Sequence, residues 1–443
     1  MTAHTIIEPP AETPSRKRDF GKLWAGQSVS LFGDEFMVLA LPLLSVTLLH
    51  TSAATAALLP FALFVPFLIL GLPAGAIIDR VSRRITMIVC NTVQLAAFTL
   101  IWLLAAVHHL NFAILMGLLL LSGCGVVFFQ IAYTSYLPSL IADTDELHRG
   151  NARLALSEST AKSVGPMIAG PLIQILGVVT AVSLNAASFA ISIFSLSTLR
   201  HREPIPGARP RPKGWIRRDI ADGLRFVVSH RVLEPTFACS TTYVLFLSMV
   251  ETLLVLYCLN VLHLAPRLIG VVIGAAAAGY PIGNLLSTRL TKALGTHTAL
   301  MVAATTSVAG ILLMPALGMI GGIVGTSGLV GASVLHSIGE GMYSPIALTV
   351  RQVESPSELL SRVGSVQRVF TWGAVALGSL LAAGATAVLG LDAAIWIGAV
   401  GTVLALPALF RRGVFDAVLA RAKTVNPGAN HPPSLSPTWR NQS

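Results

Sequence analysis

Twelve apolar stretches, each about twenty residues long and joined by short polar connections, dominate this sequence. A helix needs about 20 apolar residues to cross a bilayer, whereas the strands of a membrane barrel are about 10 residues long and alternate in polarity. Only 11% of the residues are charged, against about 25% in soluble domains. The sequence therefore predicts an all-α integral membrane protein. Its twelve transmembrane helices are expected at residues 22–49, 56–78, 85–107, 111–133, 156–176, 178–199, 236–262, 268–290, 297–317, 321–345, 365–389 and 391–410.

The distribution of basic residues predicts the orientation of these helices. With twelve spans, 28 of the 30 Lys and Arg residues fall on one side, leaving Arg267 on the other side and Lys162 within the membrane. Lys and Arg flanking spanning segments stay cytoplasmic, so both termini are expected inside the cytoplasmic membrane. The net charge of +10 is then a surface feature that attracts anionic lipid headgroups rather than nucleic acid.

Several other classes of site are not expected. The four cysteines, Cys90, Cys124, Cys239 and Cys258, lie in apolar segments without CxxC spacing and are interpreted as small core residues. No catalytic motif, nucleotide-binding loop or metal-spaced histidine cluster is found, which predicts a non-enzyme without cofactor. The first 20 residues contain no apolar core, so no cleavable signal peptide is expected.

The chain divides into two halves of six spans. We expect an N-terminal arm at 1–20, a six-helix bundle at 21–199, a linker at 200–234, a second bundle at 235–411 and a partly disordered tail at 412–443. The linker contains an amphipathic helix, interpreted either as membrane-bound or as a solvated connection. Gly71 and Gly283, and likewise Glu146 and Glu358, are related by an offset of 212 residues. Repeated six-helix halves are typical of transporters that rock around a midplane site.

Charged residues inside the spans are the candidate functional residues, because ionisable groups are costly in a bilayer. Asp34 and Glu35 lie midway along the first span, and the same offset places Glu251 about one turn from the equivalent position of the seventh. Removal from water favours the protonated carboxyl group, so these residues could exchange protons in one shared cavity. The alternative is a structural carboxylate bonded to a neighbouring helix. Glu340, between two glycines, is the fourth proton-coupling candidate.

The fifth span contains a further charged pair and a cluster of small residues. Glu158 and Lys162 have the i,i+4 spacing of an intrahelical ion pair, and substrate contact or gating is the alternative. Pro166 kinks a helix and small residues allow close packing, so these positions predict a bend. The small-residue face consists of Ala161, Gly165, Pro166 and Gly170.

The connection after the second span resembles the signature of the major facilitator superfamily. That signature is Gly, three residues, Asp, a basic residue, one residue, Gly, Arg and a basic residue. It is matched by Gly75, Asp79, Arg80, Arg83 and Arg84, with Ser82 in place of the second Gly. The resemblance covers residues 20–412. It implies two pseudo-symmetric six-helix bundles and a cytoplasmic latch between them, with Asp79 as its critical residue.

The fifth span is similar to the motif of antiporter members, in which Ala161 and Ala169 replace two glycines. Local similarities at 27–34, 136–138 and 219–226 resemble the macrolide-efflux and enterobactin-exporter branch of drug:proton antiporters. This resemblance implies a monomeric exporter that exchanges a small amphipathic compound for protons. The alternatives are proton-coupled or facilitated uptake of a small solute, and a membrane sensor or scaffold that transports nothing.

Overall fold

The computed structural model describes residues 14–78, 80–141, 143–201, 215–356 and 359–410. Within these ranges the chain is almost entirely helical and contains no strand. The predicted all-α class is confirmed. The first half contains α1 (Pro14–Leu43), α2 (Ala53–Ala56), α3 (Leu59–Ile78), α4 (Arg83–Ala106), α5 (Phe112–Leu140), α6 (Thr144–Leu176) and α7 (Val178–Ser197).

A connecting helix precedes the second half. This helix is α8 (Trp215–Ser229), and it is followed by α9 (Leu233–Asn260), α10 (Pro266–Leu294), α11 (Thr296–Gly318), α12 (Gly322–Glu354), α13 (Leu360–Leu389) and α14 (Leu391–Gly401). A π-helical turn at Leu44–Leu48 extends α1, and a 3-10 segment at Thr402–Phe410 extends α14. Several helices run past the predicted spans, because a membrane helix continues beyond the hydrocarbon region into the polar surface.

Eleven helices in the described part of the chain are long and apolar enough to cross a bilayer. The exception among the predicted spans is α6, which has 33 residues but carries Glu158, Lys162 and several hydroxyl side chains. The connectivity nevertheless requires α6 to cross, because α5 ends and α7 begins at opposite ends of the bundle. Helix α6 is thus a crossing helix with charged and hydroxyl side chains, and it contacts both halves.

The internal repeat extends over the whole fold. Shifting α4 (Arg83–Ala106) by the 212-residue offset gives residues 295–318, and α11 occupies Thr296–Gly318. The same shift places α3 on α10, α5 on α12 and α6 on α13 to within a few residues. The two six-helix bundles are therefore pseudo-symmetric, as predicted, and their common axis runs along the bundle.

The hydrophobic core is distributed unequally between the two ends of the molecule. We call the end that carries the α3–α4 and α12–α13 connections the basic face, and the other end the opposite face. At the opposite face, one continuous apolar cluster joins both halves, from Leu39 and Leu44 to Leu253 and Ile395. Toward the basic face, the clusters around Tyr136, Leu300 and Val363 each belong to one half, while midway along α3 the cluster around Phe67 packs against Trp372 of the other half. The halves are thus packed together at the opposite face and separated at the basic face.

The two most extensive contacts between the halves are helix crossings. At the first, α6 crosses α10, where an added Cβ on Gly170 would lie 2.6 Å from the Pro266 carbonyl oxygen. Gly270 likewise lies against the Pro166 carbonyl, and Gly274 against Met167. At the second crossing, α3 packs along α13. Small residues permit this approach where lipid provides no hydrophobic drive for helices to associate.

Polar caps fix the ends of several helices. Asn111 Oδ1 accepts a hydrogen bond from Ile114 N at 2.9 Å, and Asp143 Oδ1 accepts one from Glu146 N at 2.8 Å. His50, His108 and His263 adopt positive φ angles just beyond the first, third and seventh spans. The Asn111 and Asp143 side chains thus cap backbone N–H groups that have no partner within their own helix.

The connecting helix α8 packs against the second half at the basic face. Arg362 of α13 donates to Asp222 at 3.2 Å, and Val227 is buried against Val363. Leu224 and Val228 remain exposed. Protein therefore covers part of the apolar side of α8, where we expected membrane contact, while the exposed part stays available to lipid.

The closest crossing within the second half gives a test of this packing. Gly341 of α12 contacts the backbone of Tyr280 on α10, so a larger side chain must separate the two helices. Gly341→Leu is expected to lower the free energy of unfolding by about 1–3 kcal/mol. Thermal unfolding of the purified protein in detergent measures this change.

Gly331→Leu is the matched control, because Gly331 lies on the same helix with nothing within 4 Å of its added Cβ. Its unfolding temperature should stay at the wild-type value or rise slightly. Equal destabilisation by both substitutions would contradict the proposed crossing.

Candidate functional site

The charged residues of α1 lie in the middle of the molecule. Helix α1 packs against α6 and α7 of its own half and also touches α9 of the other half. Gly33 lies against Asn185 and Ser188 of α7. Because successive residues of a helix point in different directions, the next two residues of α1 do not face α7. Asp34 is exposed and Glu35 is half-buried, with the Glu35 side chain against Gly165 of α6. Both carboxylates thus lie beside the space between the halves.

Helix α6 supplies the adjacent ion pair. Lys162 Nζ lies 2.9 Å from Glu158 Oε1, and just over half of each side chain is exposed. On the same helix, Ser157 accepts hydrogen bonds from Trp24 Nε1 and Ser28 Oγ, both at 2.9 Å. The polar side of α6 therefore faces α1 and the space between the halves, which explains why a crossing helix can carry these charges.

Electrostatic interactions extend this group across both halves. Lys162 interacts with Glu35 and Glu158 of its own half and with Glu340 of the other half. Glu251, which is exposed on α9, interacts with Glu340, Lys162 and Glu35. We call these five residues the charged cluster. The structure thus brings together every predicted charged residue of the spans, and Asp34 joins the cluster through its neighbour Glu35.

A polar network in the second half supports Glu340. His336 is 5% exposed; its Nδ1 lies 2.9 Å from Ser307 Oγ and 3.1 Å from Tyr243 OH. Its Nε2 lies 3.7 Å from Glu340 Oε2, and Tyr243 and Ser307 bond each other at 2.5 Å. The sequence analysis missed His336. The missed signal was its i,i+4 spacing from Glu340, which places both residues on one helix face.

The arginines of the predicted latch contact their own half. Arg84 donates to the carbonyl oxygens of Leu196 and Ser197 at 2.8 and 2.6 Å, and Arg83 donates to that of Ser135 at 2.9 Å. Both therefore bind helix C-terminal carbonyls, where positive charge is favoured. Arg80 is exposed and Gly75 half-buried, and Asp79 lies outside the described residues. The latch role of this motif stays a prediction.

The small residues predicted on the fifth span do not form a single contact surface. Gly165 lies against Glu35 of α1, while Pro166 and Gly170 lie against α10 of the other half, and Ala161 is fully buried. The motif therefore stabilises two different contacts. It brings the charged part of α1 onto α6, and it closes the halves at the opposite face.

Comparison with known proteins identifies the family of this chain. Residues 10–433 match the sequence model of a family described as transmembrane secretion effector. The chain belongs to this family of the major facilitator superfamily. It is also 30% identical over 375 residues to the multidrug efflux pump Tap of Mycobacterium tuberculosis, covering 82% of this chain and 85% of that protein.

Two further similarities agree with this family membership. Macrolide efflux protein A of Streptococcus pyogenes is 21% identical over 270 residues, covering 61% of this chain and 66% of that protein. A bacterial homologue of the iron transporter ferroportin, solved in an inward-facing state, superposes with a TM-score of 0.72 at 17% identity, covering 90% and 99% of the two chains. The predicted superfamily is confirmed, and this transporter has the superfamily fold.

The site consists of ionisable side chains from both halves. Within the described residues, no group of three or more His, Cys, Asp or Glu side chains is arranged to hold a metal ion. Carboxylates in a space between the two halves can take up and release protons, or pair with a positively charged ligand. The arrangement suits a binding and coupling site in the centre of a transporter.

The His336 network can be tested through stability. His336→Ala is expected to lower the free energy of unfolding by about 1–3 kcal/mol, because it removes one hydrogen-bond partner from each of the Tyr243 and Ser307 hydroxyl groups and leaves a cavity where the buried ring stood. Thermal unfolding in detergent measures the change. His109→Ala is the control, since the His109 ring is exposed and lies 2.9 Å from the nearby Val107 carbonyl oxygen, its one side-chain hydrogen bond among the described residues. An unchanged unfolding temperature for His336→Ala would show that the network contributes nothing to the fold.

Proposed function

We propose that this transporter is a proton-coupled exporter of small amphipathic compounds that works by alternating access. It lies in the cytoplasmic membrane as a monomer, with both termini and the basic face in the cytoplasm. The excess of Lys and Arg at that face supports this orientation. The same residues would contact anionic headgroups at the membrane surface.

The separation of the two halves at the basic face is the observation that supports alternating access. With that face in the cytoplasm, the described state is open inward and sealed outward by the shared core around Leu39 and Leu253. The outer seal depends on the close contacts of Gly170 and Gly270 at the α6–α10 crossing. Rocking the halves about the charged cluster would open this seal and close the basic face.

The charged cluster supports coupling to protons. Asp34, Glu35, Glu251 and Glu340 are our candidates for proton exchange, and Lys162 of the Glu158–Lys162 pair interacts with Glu35 of its own half and with Glu251 and Glu340 of the other. A carboxylate that loses a proton gains a charge that closing of the halves would remove from water, so protonation changes the relative stability of the two arrangements of the halves. This linkage is the physical requirement for proton-driven export.

The composition of the cluster also indicates the kind of cargo. Four carboxylates of the cluster surround a single ammonium group, so the site attracts a positively charged group. The pump Tap and macrolide efflux protein A are relatives named for drug export. We therefore propose amphipathic toxic compounds with a basic group as the preferred cargo.

Gradient-driven transport in proteoliposomes tests the coupling sites. Ethidium is a suitable probe because its permanent charge prevents passive trapping by a pH difference. We expect an acidic lumen to drive uptake by inside-out molecules. Asp34→Asn and Glu251→Gln should each reduce the initial rate at least about tenfold, which corresponds to about 1.4 kcal/mol.

Asp392→Asn is the matched control for these substitutions. Asp392 is an exposed carboxylate in the first turn of α14, remote from the cluster. It should leave the rate unchanged. Full gradient-driven uptake by both the Asp34 and Glu251 variants would show that these residues are not the coupling sites.

Cross-linking the outer seal tests alternating access. In a background without the four native cysteines, Met167→Cys and Gly274→Cys place two thiols at the α6–α10 contact. Oxidation should stop transport, and dithiothreitol should restore it, because the halves must separate here in every cycle. Each single-cysteine variant serves as a control, and Gly274→Cys must itself transport, because its added Cβ also meets the Ser163 carbonyl oxygen. Continued transport by the fully cross-linked protein would rule out opening at this crossing.

A further inference from the structure

A crevice lies between the halves at the second crossing, apart from the charged cluster. It is bounded by α3, α5 and α13 and has a volume of about 100 Å³. Two glycines of α3 create it: an added Cβ on Gly71 would meet only Val369 at 3.9 Å, and one on Gly75 would meet nothing within 4 Å. The halves touch just above these glycines and diverge beside them, toward the basic face.

Aromatic rings form the closed end of the crevice. The ring of Trp372 on α13 lies 5.2 Å from those of both Phe64 and Phe67 on α3, with interplanar angles of 12° and 27°. Phe67 and Trp372 line the crevice directly. Stacked rings of this kind present flat apolar surfaces that favour another aromatic ring in an offset or edge-on arrangement.

Two polar side chains in the crevice have unused hydrogen-bonding capacity. Arg368 of α13 makes one hydrogen bond within the described residues, a long one of 3.4 Å from Nη2 to Ser365 Oγ, and has no carboxylate partner there. The side-chain amide of Gln130 on α5 lines the crevice without a hydrogen-bond partner in the same part of the chain. A guanidinium group and an amide are thus both available to a ligand.

The charge around Arg368 favours an anion. The guanidinium groups of Arg351 and Arg368 interact with each other, and neither forms an ion pair with a described carboxylate. Arg368 is exposed and Arg351 half-buried; two like charges repel, and an anionic oxygen group between or beside them relieves that repulsion. The charged cluster deeper in the molecule has the opposite sign, so the two sites select different groups.

We propose that this crevice binds a flat aromatic ring carrying an anionic oxygen group. Trp372 and Phe67 contact the ring, Arg368 binds the anion, and Gln130 donates to a second oxygen. The proposal that transported compounds occupy this crevice rests on the proposed export function. The proposal that the crevice binds an aromatic anion does not depend on that function. The volume admits about one ring with its substituents, so we infer that this site holds one end of a larger amphipathic cargo.

Binding of radiolabelled salicylate to the purified full-length protein tests the proposal. Equilibrium dialysis should detect saturable binding, with benzamide and cyclohexanecarboxylate competing at least about fivefold more weakly because each lacks the charge or the aromatic ring. Arg368→Gln should weaken salicylate binding at least about tenfold, with partial recovery in Arg368→Lys. Gly71→Leu should abolish binding by filling the crevice without removing a ligand group.

Two matched controls separate the site from general effects. Arg225→Gln removes an exposed positive charge from α8, and Gly384→Leu enlarges a glycine of α13 that has nothing within 4 Å of its added Cβ. Neither should alter salicylate binding, and thermal unfolding confirms that each variant is folded. Unchanged binding in Arg368→Gln and Gly71→Leu would overturn the proposal.

Two further measurements identify the kind of ligand that binds in the crevice. If inorganic phosphate competes as well as salicylate, or if phosphatidylglycerol nanodiscs eliminate salicylate binding, the crevice is a lipid-phosphate site and the aromatic assignment is wrong. Salicylate should also inhibit ethidium transport by the wild type but not by Arg368→Gln; inhibition of both equally would overturn the subsite. If the wild type transports no compound, the export function is refuted. The dialysis experiment would still show whether the crevice binds an aromatic anion.

Discussion

The close approach of two glycine-containing helices at the opposite face is the contact on which the arrangement of the halves depends. Lipid is as apolar as leucine, so helices in a bilayer associate through packing at short distance rather than through the hydrophobic effect. At the α6–α10 crossing, Gly170 and Gly270 place backbone against backbone. A shared core then surrounds this contact, while the basic face lacks any equivalent core. The position of the space between the halves follows from this one-sided packing.

That space explains how charged side chains persist in the membrane region. Glu158 and Lys162 are more than half exposed, so they remain hydrated in the open state rather than fully buried. An exposed ion pair contributes little to stability, about 1 kcal/mol or less. The stability of the fold therefore does not explain why five charged side chains lie here. The proposed function explains them, because their hydration would change as the halves move.

The sequence predicts the helices far better than it predicts the contacts among them. Spans, repeat and orientation follow from the length of apolar runs and the position of Lys and Arg, which are properties of the sequence itself. The span at 156–176 was predicted and coincides with the second half of α6, because a mostly apolar run follows Glu158 and Lys162. The partners of Glu340 were not predicted, since His336, Ser307 and Tyr243 meet through the rotation of three helices. The crevice beside Arg368 depends likewise on an empty volume, which no pattern of residue types records.

The charges of the two halves suggest how protons could control their separation in the proposed cycle. Helices α1 and α6 carry Asp34, Glu35 and Glu158 against the single positive charge of Lys162, and α9 and α12 contribute Glu251 and Glu340. When every group is ionised, both halves are negative at the same level, so they repel and the space between them stays open to water. Protonation of carboxylates on either half removes part of that repulsion and allows Lys162 to approach the remaining charge across the gap. A positively charged cargo would neutralise the same groups, so cargo and protons compete for one set of carboxylates. Such competition at a shared site is sufficient for exchange, because the halves can then close on a proton or on the cargo but less readily on an empty, fully charged site.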